Sequence, residues 1–296
     1  MSAIDAAGTA AGPPAQPSDD EPAAETASSA TTPLTGPTSV GEASTGESPL
    51  GSSVDTPRSV VVAIDGPSGS GKSSVSRAVA TRLGLAYLDT GAMYRALTWW
   101  CLARGVDLDD EAAVTAAAHD FPLVMGTDPA DPHVRVGDTD VTAEIRTTRI
   151  SAAVSAVARH LRTRAVLIAT QRDWIDRCAA QGIVAEGRDI TSVVAPDADV
   201  RLLLTASEDA RLARRAKEVH GDAGDAAIAT TRDEVVRRDR DDSAVTSFLE
   251  PSDGVRLLDT SDLDFEAVVA AVVAAVEAAR TSGVDRRDAP LADTGE

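Results

Sequence analysis

Asparagine is absent from all 296 residues, and lysine occurs only at Lys72 and Lys217. The first absence removes two classes of nucleotide-dependent protein. Switch GTPases read guanine with Asn-Lys-x-Asp, and protein kinases hold a second Mg²⁺ with a catalytic-loop asparagine. Neither can be written without that residue. Two cysteines, Cys101 and Cys178, make neither a disulfide framework nor a thiolate metal site, and their helical surroundings mark them as core filler. Four dispersed histidines argue against zinc. No apolar run reaches the roughly 18 residues that would span a bilayer. A formal net charge of −19 opposes general nucleic-acid binding, which draws on a positive surface. These limits lead us to expect a cytoplasmic monomer that acts on small molecules, with neither nucleic acid nor membrane as partner.

Positive charge is missing altogether before Arg58. Residues 1–57 are rich in Ala, Ser, Thr, Gly and Pro, with scattered acids and few large apolar side chains. Such a segment buries too little surface to offset its chain entropy. It is expected to be a disordered acidic tail, a solvated extension rather than a partner-binding arm. It lacks the basic start and apolar run of a signal peptide, and the arginines of a transit peptide. One domain is expected over 58–283, followed by a second disordered tail at 284–296.

Within that domain, short β-branched runs alternate with helical patterns. "RSVVVAID", "LAYLD", "GIVAEGRD", "DVRLLLTA" and "GVRLLDTS" read as five strands, the first, third and fourth of them buried. Helices are expected after the first and second, over about 163–180, and from Leu263 to about Arg280. The pattern predicts an α/β fold: a parallel five-stranded sheet with helices on both faces. Between about 117 and 159 the period changes to two around Gly137 and Asp138, which predicts an inserted subdomain containing a hairpin. The highly charged stretch over about 207–235 predicts a helical arm or mobile lid.

Gly66 to Ser73 spells G-x-x-x-x-G-K-S between the first strand and its helix. That context makes the motif a phosphate loop. Its backbone N–H groups and the positive end of the helix dipole face the phosphates. We expect Gly66, Pro67, Ser68, Gly69, Ser70, Gly71, Lys72, Ser73 and Ser74 to bind ATP, with the Ser73 hydroxyl on Mg²⁺. Lys72 offers a flexible point charge that follows a moving phosphoryl group better than a planar guanidinium does. "LDTGAMYR" and "EGRD" follow two further strands, so Thr90, Arg95, Glu186, Arg188 and Asp189 are expected at the same sheet edge. Two arginines beside a triphosphate site point to an anionic acceptor. A nucleotide or other small-molecule kinase and an ATP-driven switch both remain open on these grounds.

Taken together and in order, "IDGPSGSGKSSVSR", "LDTGAMYR", "VTAEIR", "EGRDI" and "RRDRDDS" resemble the bacterial cytidylate kinases over about 58–280. The resemblance implies an adenylate-kinase-like fold with an NMP-binding insertion, and transfer of the ATP γ-phosphate to CMP or dCMP. It implies a catalytic set of Lys72, Arg188, Asp189 and Arg211. Arg95 and Arg188 would grip the CMP phosphate, with Thr90 and Tyr94 beside the nucleotide. Ser155, Arg164 and Asp189 would read cytosine, and Arg237 and Asp241 would hold the ribose. Arg211, Arg214 and Arg215 would belong to the lid. One departure stands out: Ala244 and Phe248 occupy places where the family carries an arginine and a proline, which leaves Arg240 as the nearby substitute. The rival readings are a UMP or shikimate type of kinase, and a non-enzymatic ATP switch that binds a partner through its acidic tail.

Overall fold

The computed structural model describes residues 59–221, 224, 232, 239–240 and 249–287. The expected tail over 1–57, most of the second half of the expected lid, and residues 288–296 lie outside the described residues. Five parallel strands form the main sheet: β1 (Val61–Asp65), β2 (Ala86–Asp89), β6 (Ile183–Gly187), β7 (Val200–Thr205) and β8 (Arg256–Asp259). Their order is β2-β6-β1-β7-β8.

Helices cover both faces because the central strands are apolar on both. Val62 and Ile64 of β1 pack with Val75 and Val79 of α1 (Lys72–Leu83) and with Val269 and Val272 of the last helix. Ala63, between them, joins the opposite cluster with Met93 and Ala96 of α2 (Thr90–Ala103) and Ile175 of α5 (Leu161–Arg177). α2 starts at Asp89, whose carboxylate accepts the Ala92 N–H at 2.8 Å and so caps the helix. The last helix, α7 (Phe265–Arg287), runs past the expected end near Arg280 and through Gly283. Near this end Thr281 and Ser282 donate to carbonyls four residues back, so their hydroxyls follow the helix rather than break it.

The period-two stretch forms an antiparallel sheet of β3 (Leu123–Met125), β4 (Val134–Val136) and β5 (Thr139–Asp140). β4 and β5 turn over Gly137, at φ 57°. Val134 and Val136 are buried while Arg135 faces out, and the buried pair shares a core with Leu88 and Met93. Two helices went unread in the sequence: α3 (Glu111–His119) and α4 (Thr148–Ala158). Val114 and Ala118 of α3 and Val154 and Val157 of α4 close a third cluster around Leu97 and Cys101 of α2. Cys101 is thus core filler, and burial pushes its thiol up to about 11. The charged stretch opens with α6 (Glu208–His220), capped by the Ser207 hydroxyl. Among the described residues no helix is long and apolar enough to cross a membrane.

Ile64 is fully buried where β1 meets α1 and α7. Ile64→Ala should lower the unfolding free energy by about 2–5 kcal/mol, the usual range for such truncations, as read by urea titration at 25 °C.

Candidate active site

Parallel register decides what meets at the sheet's carboxyl edge. Asp65 of β1 pairs with Gly187 of β6, and Asp89 of β2 pairs with Glu186. Three neighbouring strands therefore end level with one another, and the segments that follow them share one cleft. Its lining carries six basic side chains (Lys72, Arg95, Arg146, Arg164, Arg188, Arg215) against three acidic ones (Asp89, Glu186, Asp189). In a chain of net charge −19 this is a local positive excess, suited to polyanions.

The phosphate loop spans the gap between β1 and α1. Gly71, at φ 86°, is the left-handed residue from which α1 starts, and no side chain caps the helix there. The first N–H groups thus stay available to an anion. Gly69, at φ 76°, lies so close to α6 that an added Cβ would stand 2.5 Å from the Arg211 carbonyl oxygen. Lys72 donates to the Pro67 carbonyl at 3.4 Å, curling back over the loop. Ser73 donates to Glu186 Oε1 at 2.5 Å, and Tyr87 donates to the same oxygen at 3.2 Å. Ser68 and Ser74 also line the cleft. Among the described residues the buried Ser70 hydroxyl has no hydrogen-bond partner.

Elsewhere in the lining, four arginines (Arg95, Arg146, Arg164 and Arg188) are held by carboxylates of the protein. Arg95 donates to Asp89 Oδ2 at 2.9 Å, and Arg146 reaches the same oxygen at 3.4 Å. Arg164, from α5, pairs with Asp189 and lies 5.9 Å from the centroid of the Tyr94 ring. Thr90 donates to the Glu186 carbonyl at 2.8 Å, bracing the start of α2 on β6. Asp239, like Asp89, gathers one backbone N–H and two arginines. It accepts the Ser68 N–H at 3.1 Å and Arg188 Nη1 at 3.0 Å on one oxygen, and Arg211 on the other. Arg211 also donates to the Ser68 carbonyl at 3.0 Å.

These contacts set the charge states. Burial alone would push the Asp89 carboxyl up, but Arg95, Arg146 and the Ala92 N–H hold it below the usual carboxylate range. Burial raises Glu186, and the charge of Asp89 raises it further, against the pull of Lys72 and the Ser73 hydroxyl. Burial likewise raises Asp189, with Arg164 opposing.

The cleft thus gathers Gly69, Gly71, Lys72, Ser73, Thr90, Tyr94, Arg95, Arg164, Arg188, Asp189 and Arg215 of the expected residues. Ser155 stands on α4, half-buried, beside the cleft-lining Val154 and Ala158. Arg214 donates to the Thr260 hydroxyl and carbonyl at 2.8 and 2.6 Å, tying α6 to the end of β8, and reaches the Ser70 carbonyl of the phosphate loop at 3.5 Å. Arg240 is exposed. Arg237, Asp241, Ala244 and Phe248 lie outside the described residues. The sequence motifs alone assign no role to Arg146, Asp89 or Asp239. Arg146 sits inside "VTAEIR" and Asp89 begins "DTGAMYR", so both lay within recognised motifs. Nothing in the acid-rich run Asp239, Asp241, Asp242 marks Asp239 as a residue that turns inward.

A family model described as Cytidylate kinase matches residues 62–278. A cytidylate kinase of Streptomyces avermitilis is 47% identical over 224 residues, spanning 75% of this chain and 95% of that one. One from Streptomyces griseus is 46% identical over 235 residues, spanning 79% and 100%. One from Nocardia farcinica is 48% identical over 219 residues, spanning 73% and 92%.

Asp239 accepts hydrogen bonds from a loop N–H and two arginines, groups that a phosphate would also use. Asp239→Asn removes this internal competitor while keeping its shape. Inorganic tripolyphosphate should therefore bind the variant about tenfold more tightly, a change of about 1.4 kcal/mol, by calorimetric titration. Weaker binding would mean that the carboxylate positions the arginines without competing.

Proposed function

The chain belongs to the cytidylate kinase family, which phosphorylates CMP or dCMP at the expense of ATP, and we propose that the cleft just described is where the transfer takes place. The observation that carries this assignment is that one cleft is lined by a phosphate loop with Lys72, by Arg95 and Arg188, and by an Asp189–Arg164 pair whose acceptor and donors suit cytosine.

The loop N–H groups, the α1 dipole and Lys72 hold the ATP phosphates. Arg95 and Arg188 hold the CMP phosphate, exchanging Asp89 and Asp239 for phosphate oxygens. Arg146 reaches Asp89 as Arg95 does, which supports a place for it in the same clamp. Asp189 accepts the N4 amino group of cytosine and repels O4 of uracil, while Arg164 and Ser155 donate to the ring's acceptors. Arg237 and Asp241 are assigned to the ribose on the resemblance of their motif. An oxygen of the CMP phosphate attacks the γ-phosphorus in line, and the bond from that phosphorus to the bridging oxygen breaks, which leaves ADP. The attacking phosphate is ionised at neutral pH, so no protein base is required. The lysine and arginines absorb the charge that shifts to the leaving oxygen.

Mg²⁺ fits the donors present, since the Ser73 hydroxyl and Glu186 carboxylate supply the hard oxygens such an ion prefers. When bound, the ion neutralises charge on the phosphates. Glu186 would carry its proton less readily beside that ion than in the unliganded cleft. The substrates are charged nucleotides that do not cross a bilayer unaided, which supports a cytoplasmic place of action.

A coupled ADP-release assay over all nucleoside monophosphates tests the assignment, with CMP and dCMP expected to turn over fastest. Lys72→Ala should lower kcat at least about 10²-fold, the scale of one lost transition-state contact. Near-normal turnover of that variant would remove the loop from the mechanism. Asp189→Asn, which can donate to O4 of uracil, should narrow the preference for CMP over UMP in kcat/KM. An unchanged ratio would end the base-reading role.

A further inference from the structure

The segment that carries Arg188 and Asp189 is not held by the sheet. Beyond Gly187 the chain leaves β6, and Ile190–Val194 forms a single wide π turn. Its own bonds close the turn, from the Val193 and Val194 N–H groups to the Asp189 carbonyl at 2.9 and 3.0 Å and from the Ala195 N–H to the Ile190 carbonyl at 2.8 Å, and such turns often mark functional positions. These bonds shape the turn but do not orient it on the sheet, which falls to side chains of other elements. At its far end Arg172 of α5 donates to the Val193 and Val194 carbonyls at 2.6 and 3.1 Å. Arg201 of β7 reaches the Thr191 carbonyl at 3.3 Å. At its near end, beside Asp189, the Ile190 and Thr191 N–H groups are taken up by Asp65. The Ile190 N–H donates to Oδ1 at 2.9 Å, the Thr191 N–H to Oδ2 at 2.8 Å, and the Thr191 hydroxyl to Oδ2 at 2.6 Å.

We propose that Asp65 is a positioning residue for the acceptor nucleotide, fixing Arg188 and Asp189 by clamping the two peptide groups that follow them. The proposal rests on the roles given to Arg188 and Asp189 above. Asp65 itself is 2% exposed and does not line the cleft, so it touches neither substrate. Its backbone is locked between Gly187 of β6 and Leu203 of β7, so its side chain is aimed by two strand pairings. A carboxylate suits the position because all its directed partners are donors. Burial pushes its carboxyl up to about 6, against the pull of the three hydrogen bonds, so at neutral pH it is ionised and able to accept all three. Asparagine in its place would turn an NH₂ toward one of the peptide N–H groups and leave two donors facing each other.

Asp65 stands immediately before the phosphate loop, yet its side chain points along the sheet edge to β6. A role confined to stability would weaken both nucleotide sites together, whereas a clamp acts on the acceptor alone. In the full chain, Asp65→Asn should raise KM for CMP about tenfold or more and leave KM for ATP within about twofold. The CMP to UMP ratio of kcat/KM should fall about fivefold or more, and the Ile190 and Thr191 amides should exchange hydrogen faster. Thr191→Val, which deletes one of the three donors and keeps Asp65, should shift the CMP values in the same direction by less. It decides the matter if Asp65→Asn does not fold. Equal rises in KM for ATP and CMP, or unchanged exchange at both amides, would overturn the proposal. Asp189→Asn run alongside separates the two readings. If it leaves the CMP to UMP ratio intact, base reading by Asp189 falls, while the clamp is still judged by amide exchange and by the split between the two KM values.

Discussion

Level parallel pairing of β2, β6 and β1 is the constraint from which the cleft follows. Because Asp89 stands opposite Glu186 and Asp65 opposite Gly187, the chain leaves three strands at one height. A slip of one residue would turn each of these side chains to the other face. The register is held by burial on both faces, since alternate residues of β1 enter two different clusters. Functional geometry at the edge is thus set by apolar packing several residues below it.

Above that edge the protein holds its cations with its own carboxylates. Arg95 and Arg146 share Asp89, Arg164 meets Asp189, and Arg188 and Arg211 share Asp239. Buried ion pairs of this kind add little to stability, because the desolvation cost offsets most of the attraction. In the proposed transfer they would keep flexible side chains oriented for the reaction. A phosphate that displaced a carboxylate would then meet arginines already placed, all but Arg146 largely buried. Less side-chain entropy is lost on binding, although the displaced acid must find new partners.

Much of this was legible in the sequence because the signals are local. A phosphate loop, its strand and its helix occupy about twenty consecutive residues, and the five strands stand out as short apolar runs. The parts that escaped are those whose partners are remote. Arg146 finds Asp89 57 residues earlier in the chain, and Asp239 reaches Ser68 across 171. The helices α3 and α4 were missed because they are built largely from Ala, Thr, Ser and Val, whose burial is decided by α2 and α5 rather than by their own pattern. The helix ending at Arg287 outran its expected stop because one glycine costs only about 1 kcal/mol against an otherwise favourable run.

The contrast between a basic cleft and a chain of net charge −19 has a consequence for encounter rates. Nucleotides are themselves polyanions, so at long range the molecule repels the ligands that its interior attracts. Added salt screens both effects, but not equally. The surface repulsion acts through water over a Debye length of about 8 Å at physiological ionic strength, whereas partly buried charges are screened much less. Arrival is therefore slowest in dilute buffer and quickens as counterions gather, while retention, governed by contacts inside the cleft, changes far less. Electrostatic steering usually speeds binding as salt is removed; in this protein the outer field works in the opposite sense.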